Sequence, residues 1–401
     1  GALRVLAQSS RCVFGYFLAC VVYNQADCTL DNILAKPRKK IAKKIAIIGT
    51  AGVPASYGGF ETLADELIKF AEDQKVSSRF LIYCSGDNPQ QIGNYRGATL
   101  RFLRFSANGV SSIVYDALSS VDALLRGCRV LLCLGVSGAP LFPLLRVIPG
   151  IEIITNVDGV EWRREKWGYF ARLYLRTAEW FAVRFSNCVI ADNEGIHEYL
   201  QRSYGISAAI VSYGGDHALK GKHVDLPVRL PDVFALSLCR IEPENNVDLI
   251  LRAFSTSRSP NLVFVGNWNA SEYGRQLRHH YTGTENLFLL DPLYDENLLF
   301  TVRSKARYYV HGHSAGGTNP SLVEMMHFGV PVLAFDCIFN RYTTDNEAFY
   351  FDSVGGLVEL LGKISSKDDS ADVLGVVASS GGKMRDLAQS RYCWTIVGRK
   401  Y

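Results

Sequence analysis

Two parallel, doubly wound α/β sheets placed one after the other are what this sequence predicts, and three observations predict them. Short apolar runs recur that end in Gly, Asp or Asn, as buried parallel strands do. Segments with apolar residues at helical spacing fall between them, and such alternation builds a parallel sheet covered on both faces. The pattern also lapses at KGKHVDLPVRLP (220–231), then restarts.

The first sheet begins with KIAIIGT (44–50), followed by a helical segment in which Phe60, Leu63, Ala64, Leu67 and Ile68 share one face. Strand-like runs follow at 80–84, 100–105, 129–135, 151–157, 188–193 and 208–214. The second sheet runs through 233–239, 262–267, 287–290, 308–313 and 330–336, with helices from Asn245, Ser271, Glu296 and Pro320 between the strands. The resulting division is an N-terminal extension at 1–43, a first domain at 44–219, a linker at 220–231, a second domain at 232–385 and a C-terminal helix at 386–401. No sequence repeat relates the halves.

Bulk properties agree with this. A chain of 401 residues suits two cores of about 150–200 residues each. A net charge of +4 over that length is too weak to imply nucleic acid. The ten cysteines form no C-x-x-C pair, and Cys133, Cys188 and Cys239 sit inside apolar runs. They read as small buried hydrophobes in a reducing, cytoplasmic compartment. The apolar run CVFGYFLACVVY (12–23), preceded by Arg4 and Arg11, is too short to span a membrane and no clear cleavage site follows it. An accessory segment, or translation from an upstream start, is expected.

Ligands of open α/β sheets bind beyond the carboxyl ends of the strands, so four strand-end motifs carry the chemistry. In GTAGVPASYGGFET (49–62) a glycine-rich loop opens a helix, and the amides at Gly58 and Gly59 can hold a phosphate or a sugar hydroxyl. It matches neither a dinucleotide fingerprint nor a P-loop, and a tight strand–helix turn would have the same composition. NVDGVEWRREKW (156–167) places Asp158, Glu161 and Trp162 at a strand end, a mixture suited to sugars, although an Asp cap on a solvated helix reads the same way. In RIEPENN (240–246) the guanidinium of Arg240 can take a diphosphate, or pair with Glu242 or Glu244. HGHSAGGTNPSLVE (311–324) is the best phosphate cradle in the chain: Gly316, Gly317, Thr318, Asn319 and Ser321 surround a helix that starts near Pro320, and Glu324, one turn in, can take ribose hydroxyls. His311 and His313 lack further ligands at metal spacing, and no D-x-D triplet occurs, so no metal is expected and diphosphate charge falls to Arg240 and helix N-termini.

Those four segments, in that order, resemble bacterial rhamnosyltransferase-type enzymes of glycosyltransferase family 4, over residues from about 44 to 401. The resemblance implies a GT-B fold, with two Rossmann-like domains facing across a cleft, no cofactor beyond the nucleotide-diphosphate sugar substrate, and retention of anomeric configuration. It implies that the second domain holds the nucleotide sugar, dTDP-rhamnose, and the first a saccharide or polyprenyl-linked acceptor of capsule, O-antigen or exopolysaccharide synthesis at the cytoplasmic membrane face. On that basis Tyr57, Glu161 and Trp162 are assigned to the acceptor and Asp158 to its orientation, with Arg240 and Glu324 on the donor. Two departures stand out. The first of a Glu pair eight apart falls on Gly316, and the phosphate-binding Lys five residues after Arg240 falls on Asn245, leaving Arg275 or Arg341 to supply the charge. A nucleotide-sugar epimerase of the same fold, or an inactive sugar-nucleotide-binding module, are the rival readings. A basic cluster (Lys36, Arg38, Lys39, Lys40, Lys43, Lys44) and the arginine- and aromatic-rich segment 168–186 further suggest peripheral contact with an anionic membrane.

Overall fold

The computed structural model describes residues 43–55, 58–86, 92–164, 167–258, 260–365 and 371–401. Eight strands form the first sheet: β1 (Lys44–Ile48), β2 (Phe80–Ser85), β3 (Ile92–Tyr95), β4 (Ala98–Leu103), β5 (Cys128–Leu134), β6 (Glu152–Asn156), β7 (Cys188–Ala191) and β8 (Ala209–Ile210). Their order is β3-β4-β2-β1-β5-β6-β7-β8. Every pairing is parallel except β3 with β4. The apolar runs predicted this because a central parallel strand is covered on both faces: Ala46, Ile47 and Ile48 are all buried. The edge strand β3 was not legible, since Gly93 and Asn94 carry no strand signal. It is set by the turn at Arg96 and Gly97, whose φ values of 50° and 86° are those of a two-residue hairpin turn of the primed kind.

Six parallel strands form the second sheet: β9 (Phe234–Leu238), β10 (Asn261–Val265), β11 (Leu287–Leu290), β12 (Tyr308–His311), β13 (Val332–Phe335) and β14 (Phe349–Phe351). The order is β11-β10-β9-β12-β13-β14. In each sheet the chain runs outward from a central strand, then crosses to its other side. The strand order therefore reverses between β1 and β5 and again between β9 and β12, where a crevice opens beyond the strand ends.

The C-terminus departs from the single helix expected at 386–401. One helix, Ala371–Arg391, stops before Tyr392 and Cys393, and a second, Trp394–Lys400, follows. The first packs on the helix Pro320–His327 of the second domain, and the second on the helix Gly59–Asp73 of the first. Gly398 makes that last contact possible, since a Cβ there would lie 2.6 Å from the Phe70 ring. The Tyr401 hydroxyl accepts a hydrogen bond from Asn156 Nδ2 at 2.7 Å.

Asn193 joins the domains at a second point. It caps the helix Glu194–Tyr204 by accepting from the Gly195 amide at 2.8 Å. Its Nδ2 donates to the Phe339 carbonyl at 3.2 Å and the Thr343 hydroxyl at 3.1 Å, both from the second domain. The side chain is fully buried. Loss of the cap together with these bonds predicts that Asn193→Ala lowers the unfolding free energy by about 2–4 kcal/mol. Urea denaturation tests this, and a loss under about 0.5 kcal/mol would contradict the joint role.

Candidate active site

Both strand-order reversals open into one cleft of about 1210 Å³ between the sheets. Its first-domain wall includes Gly49, Gly58, Gly59 and Asp158; its second-domain wall includes Arg240, Asn245, Gly316 to Ser321 and Glu324. At Gly49 a Cβ would sit 2.0 Å from the Leu134 carbonyl oxygen, so only glycine lets β1 end against β5. Tyr57 lies outside the described residues.

Arg240 follows β9 and stays about half exposed, with Glu242 Oε2 3.8 Å from its Nε. That weak pairing leaves the guanidinium available to an anion. Asn245, where the Lys is absent, lines the cleft with its side chain engaged inside the protein. Its Nδ2 donates to the Arg240 carbonyl at 2.7 Å and its Oδ1 meets His313 Nδ1 at 2.7 Å, so it braces the Arg240 loop against the strand-end loop after β12. Arg275 and Arg341 do not supply the missing charge. Each is held by a carboxylate of its own surface, Glu272 and Asp336, and neither lines the cleft. Besides Arg240, the cleft wall carries Arg164 and, from the helix Glu296–Lys305, Arg303.

Gly316, Gly317 and Thr318 form a backbone loop that turns into the helix Pro320–His327. Asn319 caps this helix through Oδ1, accepting from the Ser321 amide at 3.0 Å and the Ser321 hydroxyl at 2.8 Å. The loop is pinned from across the cleft by Asp192, at the end of β7. Asp192 Oδ2 accepts from the Thr318 amide at 3.1 Å, and its carbonyl accepts from the Thr318 hydroxyl at 2.5 Å. A Cβ on Gly317 would sit 2.1 Å from the Asp192 carboxylate. Gly159 and Gly316 bring the two domains together backbone to backbone, as a Cβ on either would lie within 2.9 Å of the other's Cα.

Arg164 forms the main charged link between the loops. Its NH1 donates to Glu161 Oε2 at 2.9 Å, its Nε to Glu244 Oε1 at 2.7 Å, and Glu242 Oε2 lies 3.5 Å from NH2. Burial and Arg164 oppose each other at Glu244, and the arginine holds that carboxyl below its ordinary range. Asp158 precedes this cluster at φ 60°, a left-handed conformation kept by its own amide donating to Asn156 Oδ1 at 2.9 Å. Burial raises the Asp158 and Asp192 carboxyls; the charge of Glu161 raises Asp158 further, and that of Asp158 raises Asp192. Trp162, expected at the acceptor, is not in the cleft wall. Its indole donates to the Tyr199 hydroxyl at 3.2 Å and packs under Arg163 and Arg176. Trp167 lines the cleft instead, donating to Glu161 Oε1 at 3.0 Å.

Glu324 lies in the cleft wall, as expected, but neither of its oxygens is idle. Oε2 pairs with Arg303, and Oε1 lies 3.2 Å from His217 Nε2. Arg303 and neighbouring histidines outweigh burial and hold this carboxyl below its usual range, so it is ionised at neutral pH. Each carboxylate oxygen retains a second lone pair for a hydroxyl donor. Arg303 and His217 carried no signal as site residues in the sequence, and Asp192 was not singled out. The single available signal was Asp192 at the end of a buried strand, the position inspected in every other motif.

Residues 222–370 match the family described as glycosyl transferases group 1. Residues 42–216 match a domain of unknown function, DUF1972. Among curated proteins none matches. Solved structures share the fold at low identity. Sucrose-phosphate synthase from Thermosynechococcus elongatus is 15% identical, with a TM-score of 0.73 over 89% of this chain and 96% of that one. Anabaena HepE in complex with UDP-glucose is 14% identical, with a TM-score of 0.64 over 89% and 97%. The α,α-trehalose 6-phosphate synthase from Burkholderia multivorans is 10% identical, with a TM-score of 0.64 over 89% and 94%. Two Rossmann-like domains on either side of a cleft, matched by these structures, define the GT-B class. With its second domain matched to group 1, the chain is a glycosyltransferase.

The end of β12 and the loop after it have a pH signature. Burial, then the charge of Arg164, pushes His313 down to about 4 from an ordinary 6.5, and burial likewise holds His311 well below that ordinary value. The unfolded chain therefore takes up protons first. This contribution is complete above pH 6.5 and is lost as pH falls towards 4, about 3 kcal/mol for His313. Raised carboxyls such as Asp116, pushed up to about 8 by burial, act in the opposite sense. The informative quantity is thus the difference between wild type and His313→Gln. Urea denaturation at pH 7.5 and 5.0 should show a larger acid loss, or a smaller acid gain, in wild type. Identical pH dependence in the two proteins would refute a neutral buried His313.

Proposed function

We propose that this glycosyltransferase moves L-rhamnose from dTDP-rhamnose, with retention and without a metal, onto a polyprenyl-linked saccharide at a membrane surface, in surface polysaccharide synthesis. The observation that carries the donor side is the anion cradle. A half-exposed Arg240 stands at the strand-order reversal of the second sheet, beside the glycine-rich loop and the amides of the helix Pro320–His327. The choice of rhamnose rests on the sequence resemblance. As the bond from the anomeric carbon to the diphosphate oxygen breaks, charge builds on the leaving group, and Arg240 with those amides stabilises it. The acceptor oxygen bonds to the anomeric carbon on the face the diphosphate leaves, and its proton passes to the departing phosphate oxygen. Asp158, on the opposite wall, orients that acceptor. With dTDP-rhamnose and a lipid-linked glucose acceptor, transfer should proceed in EDTA. Arg240→Ala should cost about 2–4 kcal/mol in transition-state stabilisation, with no change in melting. Transfer from UDP-glucose but not dTDP-rhamnose would refute the donor; activity restored to an EDTA-treated enzyme only by magnesium or manganese would refute metal independence.

Support for the membrane side lies on the first domain. Among the described residues no helix is long and apolar enough to cross a membrane. Large apolar side chains are instead exposed on the surface. Val114, Leu118, Val121 and Leu125 make an outward stripe at helical spacing on the helix Ser112–Leu125. The helix Tyr169–Phe185 buries Leu175, Ala178, Ala182 and Val183 against the sheet yet exposes Tyr169, Phe170, Leu173 and Trp180. Val110 and Phe170, 76% and 83% exposed, also line the cleft, so this apolar surface reaches the acceptor side of the site. The arginines of this helix are partly engaged: Arg176 lies over Trp162, and Arg172 donates to the Arg164 carbonyl at 3.4 Å. Of the basic cluster, Lys43 pairs with Glu152, and residues 36–40 lie outside the described residues. Apolar insertion therefore carries more of the binding than the sequence suggested. Leu118→Ser with Phe170→Ser should reduce co-sedimentation with anionic phospholipid vesicles by about tenfold. Wild-type recovery in the supernatant at low salt would sink the membrane reading.

A further inference from the structure

We propose that His217 and Trp394 are positioning residues for nucleotide binding, holding the Glu324 carboxylate in place so that donor affinity depends on the C-terminal helix. The inference rests on the donor role given to Glu324 above.

The hydrogen bonds run in one direction. The Trp394 indole donates from Nε1 to His217 Nδ1 at 2.9 Å. That fixes the lone pair of a neutral ring on Nδ1 and its proton on Nε2. Nε2 then faces Glu324 Oε1 at 3.2 Å with a proton to donate, while Arg303 holds the other oxygen. A carboxylate about 8% exposed needs such partners to stay ionised. Without His217 it would be free to turn wholly towards Arg303, taking Oε1 out of the position from which it meets a ribose hydroxyl.

Nothing in this chain can easily shift. The Trp394 amide donates to Asp216 Oδ1 at 2.7 Å. Its ring lies on Gly214, where a Cβ would be 2.6 Å from the indole. On the other side Gly215 touches the helix bearing Glu324, since a Cβ there would lie 2.7 Å from the Val323 carbonyl carbon. The segment carrying His217 is thus gripped between the indole and the helix Pro320–His327. Trp394 in turn starts the helix that packs on the first domain. The nucleotide contact in one domain is therefore aligned by a side chain anchored to the other.

Calorimetric titration of the full chain with dTDP, and separately with UDP, tests this. His217→Leu should weaken the diphosphate that binds by about tenfold, which is about 1.4 kcal/mol. His217→Gln, whose amide can still donate to Oε1, should stay within about threefold of wild type. Trp394→Phe, which keeps the packing and loses the indole N–H, should weaken binding as well. Glu324→Gln should weaken it, and adding His217→Leu to that variant should cost nothing more. If Glu324→Gln weakens binding but His217→Leu and Trp394→Phe do not, the positioning role fails alone. An equal His217→Leu penalty with and without Glu324 assigns His217 to the fold and overturns the inference. Unchanged affinity in Glu324→Gln removes the donor role, and the inference with it.

Discussion

Arg164 sits between three carboxylates, and two of them, Glu242 and Glu244, belong to the other domain. Much of the site's geometry depends on that arrangement. A guanidinium taken largely out of water must be surrounded by charge of opposite sign, and a carboxylate left behind by its loss would be costly. The loop carrying Asp158 and the loop carrying Arg240 are therefore held at one separation. The mutual approach of Gly159 and Gly316 keeps side chains out of the gap between them. Asp192 adds a second tie by holding the Thr318 amide, so each wall of the cleft is shaped partly by residues of the opposite domain.

The division into two sheets was legible because burial on both faces leaves an unmistakable run of apolar residues. Strands that escape that condition were not legible. β3 depends on a turn, and β14, Phe349–Phe351, is too short for any periodicity to register. The break at Tyr392 and Cys393 escaped for a related reason. The chain changes direction there to reach another domain, and nothing local to those residues records where that domain lies.

Within the site, legibility followed the backbone. The glycine-rich loop, the helix start at Pro320 and the strand-end Arg240 are local arrangements, and their spacing alone places them at the cleft. What a side chain faces is another matter. Trp162 and Trp167 are equivalent in composition, yet one packs under two arginines and the other lines the cleft. Asn245 and Glu324 occupy familiar positions with partners drawn from distant segments. Long-range pairings of this kind have no signature in a single sequence.

The C-terminal crossing has a consequence for modularity. In a two-domain chain joined by one linker, the second domain could be exchanged through a single junction there if nothing else crossed between the halves. Here the last helix rests on the first domain through Gly398 and Tyr401 while its first residue bonds the linker-side Asp216. A transplanted second domain must therefore either keep this terminal helix from the original host or bring matching contacts of its own. The natural unit of recombination is therefore discontinuous: the second sheet together with the helix that crosses back to the first.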